Sequence, residues 1–201
     1  IRHIGATCHS TEAFERLITE HEDKIETMMF PYNIVENQAD ALMKECTEKN
    51  IGFIAMKPIA GGNIDDTALA LRYIVNNPDC TIVIPGMGSA EEVSQNTCEE
   101  VFLPLTEEDK LACAKIVKEL GSQFCRRCGY CAPCPQGINI PSNFLFANYL
   151  RKYGLADWAK DRYSTMPKNA TDCVKCGLCE TRCPYDLPIR AMLEKVAKDM
   201  A

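Results

Sequence analysis

The chain has 201 residues, 46% of them hydrophobic, which is enough for a sizeable core and one or two domains and argues against disorder. Its 28 acidic and 22 basic residues leave a net charge of -6 with no Lys/Arg-rich run, so a nucleic-acid partner has no electrostatic footprint. No apolar stretch approaches the ~18 to 20 residues of a membrane helix and no secretion leader opens the chain, so a soluble, cytoplasmic protein with no membrane partner is expected.

Strand-like runs read IRHIGA at 1–6, ETMMF at 26–30, IGFIAM at 51–56 and TIVIPG at 81–86. Between them, STEAFERLITE, QADALMKECTEK and DTALALRYIVNN carry apolar residues at three- and four-residue intervals, the period of a helix with one buried face. This alternation predicts an α/β fold of parallel βα units. Its repeat of roughly 25 to 30 residues is that of a (β/α)8, TIM-type barrel, of which the chain holds half the units. Ser89 with Glu92, and Thr106 with Asp109, match the capping pattern of a helix start, and the second helix is expected to run to about Leu120. Beyond it cysteines cluster, strand signals vanish, and NFLFANYLRKYG and IRAMLEKVAKDM predict helices. The expected domains are 1–104, a partial barrel, and 105–201, a mainly α-helical domain with a lead-in helix. Because Ile1 opens directly in a strand-like run with no initiator methionine, a piece of a longer protein is expected.

Eight of the 13 cysteines fall between Cys125 and Cys183. The scattered five, Cys8, Cys46, Cys80, Cys98 and Cys113, read as small buried hydrophobes. An odd count in a chain without a secretion signal argues against a disulfide scaffold. The eight form two motifs, C-x2-C-x2-C-x2-C-P (Cys125, Cys128, Cys131, Cys134) and C-x2-C-x2-C-x3-C-P (Cys173, Cys176, Cys179, Cys183), and the second matches the bacterial two-cluster ferredoxin run. Three thiolates at successive steps of three wrap a loop around a cubane, and Gly129 and Gly177 allow the backbone close approach. In such runs the fourth cysteine crosses to the other cluster. The expected 4Fe-4S centres are therefore Cys125, Cys128, Cys131 and Cys183, and Cys173, Cys176, Cys179 and Cys134. Structural zinc is the alternative, but it wants two pairs of ligands per ion, and the third cysteine of each motif is surplus to that geometry. Arg126, Arg127, Lys175 and Arg182 stand beside the ligands, where they offset part of a charge of roughly -4 or remain ordinary solvated cations. Phe144, Phe146, Tyr149, Tyr153 and Trp158 are expected to pack the cluster shell.

The loops after the four strands are TCHS, PYN, KPIAGG and GMGS, and function sits on such loops in parallel βα folds. Taken together, IGATCHS, PYNIVE, IGFIAMKPIAGG and IPGMGSAEEVSQN resemble strands five to eight of the aldo-keto reductase barrel, in the branch that carries a C-terminal ferredoxin-like domain. The resemblance implies an NAD(P) site. Thr7 and Cys8 stand where the family binds the carboxamide and Met56 where it stacks an aromatic ring, with Gly86, Met87, Gly88 and Ser89 near the cofactor phosphate and Gln95 and Asn96 near adenine. Cys8 replaces an asparagine, Met29 a glutamine, and Glu92 an arginine that often meets a 2'-phosphate. The family's catalytic Asp, Tyr, Lys and His belong to the first half of the barrel, so no catalytic residue is named here. His9, Tyr32, Asn33 and Lys57 read equally well as strand-end polar groups.

The leading expectation is part of an iron-sulfur oxidoreductase that moves electrons between two 4Fe-4S clusters and a nicotinamide or carbonyl site. Its partner is expected to be an electron carrier such as a ferredoxin, or the nicotinamide cofactor itself. A non-catalytic electron-transfer module whose α/β part docks a partner is the second reading, and a zinc-held interaction domain the third. The four-stranded segment is expected to need its missing half-barrel, since four strands leave open edges.

Overall fold

In the computed structural model, which describes residues 1–121, 124–151 and 153–201, β1 (Gly5–Thr7), β2 (Thr27–Pro31), β3 (Gly52–Met56) and β4 (Ile82–Ile84) lie side by side in chain order. All three pairings are parallel, with Thr7 opposite Met29, Pro31 opposite Met56, and Met56 opposite Ile84. Each connection is a helix: α1 (Thr11–Glu20), α2 (Asp40–Glu48) and α3 (Thr67–Val75). The α/β reading holds; β2, β3 and β4 fall within a residue or two of the expected runs, while β1 starts at Gly5, four residues later than the run at 1–6.

Local chemistry starts the helices. The Ser10 hydroxyl accepts from the Ala13 amide at 3.3 Å, and the Asp66 carboxylate accepts from Leu69 at 2.9 Å. Phe14 and Ile18, four residues apart, then bury one face of α1, where Phe14 meets Phe30 and Phe53 with ring centroids 5.2 and 5.9 Å apart. The sheet's two central strands are buried, whereas β1 and β4 alternate exposed and half-buried residues, with Ile82 half exposed. Among the described residues β1 and β4 are edges, pairing on one side only.

The helix α4 (Ala90–Asn96) begins as expected with the Ser89 hydroxyl accepting from the Glu92 amide at 3.2 Å. The α5 helix (Glu107–Leu120) carries the full capping box of Thr106 and Asp109. The chain divides into units 1–122 and 123–201, so α5 sits with the α/β unit and not with the domain after residue 105. The reason is long-range: the largely buried Arg72 of α3 pairs with Asp109 at 3.2 Å, and Asn76 donates to the Leu103 carbonyl at 2.9 Å.

In the second unit α6 (Ile140–Arg151), α7 (Ala156–Ser164) and α8 (Ile189–Asp199) enclose a core that includes Ile138, Phe144, Ala147, Tyr163, Leu187 and Leu193. No strand occurs among its described residues. The aromatic set divides in a way that periodicity alone does not reveal. Phe144 faces the cysteines, while Phe146 and Tyr149 meet Trp158 edge-on at 6.1 and 5.3 Å and Tyr149 meets Tyr153, tying α6 to α7. Residues 140, 144 and 147 share the inward face of α6, and 146 and 149 fall on the next one, with Tyr153 just beyond the helix end.

Candidate metal centre

All thirteen cysteines are free. Burial raises the thiols of Cys8 and Cys46 to about 11 and about 12, and Cys113 upward as well, so these three are inert core residues as expected.

The eight motif cysteines surround two hollows in the second unit. One, of about 310 Å³, is lined by Cys125, Cys128, Cys131 and Cys183, and the other, of about 350 Å³, by Cys134, Cys173, Cys176 and Cys179. Each hollow thus takes three sulfurs from one loop and its fourth from the other. The crossing follows from a local repeat. Arg127 and Gly129 adopt left-handed backbone at φ 57° and 83°, and Lys175 and Gly177 repeat this at 58° and 82°, so both loops curl identically around their first three cysteines. After the fourth, Cys-Pro-Gln-Gly and Cys-Pro-Tyr-Asp turn the chain with Gly137 donating to Cys134 O at 2.9 Å and Asp186 to Cys183 O at 3.3 Å. Ile138 and Ile140 then stand where Leu187 and Ile189 stand in the second copy, each pair leading into a helix. The walls are correspondingly apolar: Leu187, Ile189 and Phe144 around the first hollow, Ile138 and Leu193 around the second, and Ile140 around both.

Gly177 deserves a substitution of its own, because at φ 82° a side chain is strained even though an added Cβ would meet only Arg190 at ordinary distance. Gly177→Ala is expected to destabilise the second unit by roughly 1 to 2 kcal/mol, read as a lower urea midpoint, with the first unit unchanged.

The donor set fits a four-iron cluster better than one ion. Among the described residues no three His, Cys, Asp or Glu side chains converge on a single metal position, whereas zinc requires four sulfurs at ~2.3 Å from one point. Sulfurs standing off around an apolar-walled hollow suit a cube whose four iron corners each take one. The Arg127 amide points at Cys125 Sγ at 3.4 Å, the kind of N–H contact that stabilises sulfur-borne charge. Burial pushes the thiols of Cys125 and Cys179 up, and that of Cys131 to about 11, so the thiolate state depends on bound iron's own charge.

The residues expected at a nicotinamide site are spread along the first unit. Thr7 and Met56 end β1 and β3, and Gly86, Met87, Gly88 and Ser89 form the exposed turn between β4 and α4. Gln95 is exposed and approaches Glu91 on its own helix, while Asn96 is buried. Cys8 lies in the core, as expected of the scattered cysteines, and its thiol donates to the Ser10 carbonyl at 3.6 Å. The Gly88 amide, expected near phosphate, donates to the Glu92 carboxylate at 2.5 Å. The structure also joins several of the strand-end polar groups. Lys57, at φ 55°, brings Nζ to 2.9 Å from His9 Nε2, and Asn33 Nδ2 donates both to the buried Glu36 and to the Lys57 carbonyl. Burial and the Lys57 charge lower the His9 pKa to about 4, so the ring is neutral.

Comparison with known proteins bears on both units. Residues 124–188 match the family model for a 4Fe-4S dicluster domain, and residues 1–68 match the aldo/keto reductase family. No curated protein matches the chain. Among solved structures it is similar to aldo-keto reductase AKR11C1 from Bacillus halodurans, at 18% identity in both forms. The holo form gives a TM-score of 0.49 over 58% of this chain and 50% of that one, and the apo form 0.48 over 58% and 51%. It is also similar to the thermostable aldo-keto reductase Tm1743, at 17% identity and TM-score 0.45, over 58% of this chain and 48% of that one. The chain spans about half the length of these structures. Among the described residues no helix is long and apolar enough to cross a membrane.

Proposed function

We infer, from a chain that carries an aldo/keto reductase segment over 1–68 and a 4Fe-4S dicluster domain over 124–188, that it is part of an iron-sulfur oxidoreductase. Electrons pass between two 4Fe-4S clusters and a nicotinamide or carbonyl site on the α/β unit, with an external carrier such as a ferredoxin at the other end. The observation that carries this reading is the pair of hollows, each ringed by four cysteines drawn from both loops. When bound, the clusters supply one-electron transfer. The protein's part is to hold them, keep water from them through Ile138, Ile140, Leu187 and Ile189, and set their potentials. On the first unit Thr7, Met56 and the Gly86–Ser89 turn present the nicotinamide and its phosphates, and further strands, from the same polypeptide or another, complete the sheet at β1 and β4.

The test is anaerobic addition of NADH or NADPH to the reconstituted complete protein. Bleaching of the cluster absorbance is expected, and its absence with both nucleotides sinks the nicotinamide half of the proposal.

A second reading, a non-catalytic electron-transfer module, has two observations of its own: Cys8 is spent on the core, and Glu92 holds the Gly88 amide. On that reading reduced ferredoxin bleaches the clusters and neither nucleotide does.

A further inference from the structure

The two cysteine sites share a frame but differ in what surrounds it. Arg126, between the first two cysteines of its loop, is only 5% exposed. Its guanidinium lies 3.9 Å from the Phe124 ring centroid and 4.4 Å from that of Tyr185, and Nη1 donates to the Phe124 carbonyl at 2.7 Å. Arg126 and Tyr185 both line the hollow of Cys125, Cys128, Cys131 and Cys183. At the matching positions of the repeat stand Val174, 61% exposed, and the exposed Gln136. The cations lining the other hollow are Lys175 and Arg190. Both are exposed.

These differences have an electrostatic consequence. An exposed cation is screened by water, whereas a buried guanidinium acts through a low local dielectric. One-electron reduction adds one negative charge to a cluster, so the nearby buried cation favours the reduced form and raises the reduction potential.

We propose that Arg126 poises the two sites unequally, so that the site of Cys125, Cys128, Cys131 and Cys183 takes the first electron. This rests on the reading of both hollows as four-iron sites. The step is the transfer of one electron from a low-potential reductant to the oxidised cluster, with no bond made or broken. An electron delivered to either site then settles beside Arg126, and the pair acquires a direction.

The experiment is an anaerobic dithionite titration of the reconstituted complete protein followed by electron paramagnetic resonance, with iron and sulfide assayed on the same sample. Two one-electron waves are expected, separated by at least tenfold in electron affinity, ~59 mV for one electron. Arg126→Met, whose unbranched chain fills the slot between the two rings, is expected to lower the higher wave by at least tenfold and leave the lower wave in place. Superimposed waves in a wild-type sample holding both clusters overturn the inference. So does a variant that moves neither wave, both alike, or only the lower one. A wild-type sample holding no iron refutes the four-iron reading instead. If Arg126→Met loads poorly, Arg126→Lys decides: retention of the wave separation supports the charge argument, and a loss of tenfold or more overturns it.

Discussion

Replacing Cys134 with alanine is expected to empty the site of the other loop, leaving Cys125, Cys128 and Cys131 still bound to iron. Cys183→Ala is expected to do the converse. Each hollow is closed by a cysteine distant in sequence from its other three, because the Cys-Pro turn carries the chain out of its own loop and across to the second. Removing that one sulfur leaves three corners held and a fourth open to water, and a partly held cluster is readily lost. Bound iron should fall from about eight to about four per chain in either variant. The decisive reading is alkylation under anaerobic conditions, resolved by mass spectrometry. In Cys134→Ala the newly labelled residues should be Cys173, Cys176 and Cys179. Labelling of Cys125, Cys128 and Cys131 in that variant means each loop holds its own fourth ligand, and the crossed arrangement is wrong.

Stripping iron is expected to unfold residues 123–201 while leaving 1–122 folded. The apolar residues that make up much of the second unit's core, Ile138, Ile140, Phe144, Leu187, Ile189 and Leu193, are also the walls of the two hollows. Without clusters they face empty or wet space. Each hollow is walled by these side chains, so losing its cluster removes their packing partner. A unit this small has little stability in reserve, so losing the packing around two such sites is decisive. Limited proteolysis after chelation and oxidation is the check. Cleavage should concentrate after residue 123, and a second unit as resistant as before would show that its helices stand without metal.

Much of this was legible in the sequence because it is written in short-range pattern. The period-two and period-3.6 runs placed the four strands and their helices. Ser89 and Thr106 announced helix starts, and the spacing of three cysteines and a Cys-Pro named the two loops. A further signal was present but easily passed over: the repeat continues beyond each proline, CPQGINI against CPYDLPI, and that continuation builds the two hollows symmetrically. Other features depended on neighbours far along the chain. Helix α5 belongs to the first unit through Arg72 and Asp109, and the aromatic residues of α6 split between two faces only once α7 is in place.

The sequence by itself determined the βα alternation, the helix starts and the identity of the eight sulfurs, since each depends on residues within a turn or a loop of one another. The sulfur sharing followed from the ferredoxin-type run, whereas only the tertiary structure decided that Arg126 is buried while Val174 is not, and that Cys8 and the Gly88 amide are already engaged. Burial and electrostatic environment are properties of what packs against a residue, and the identity of that partner is not encoded in the residue's own stretch of chain.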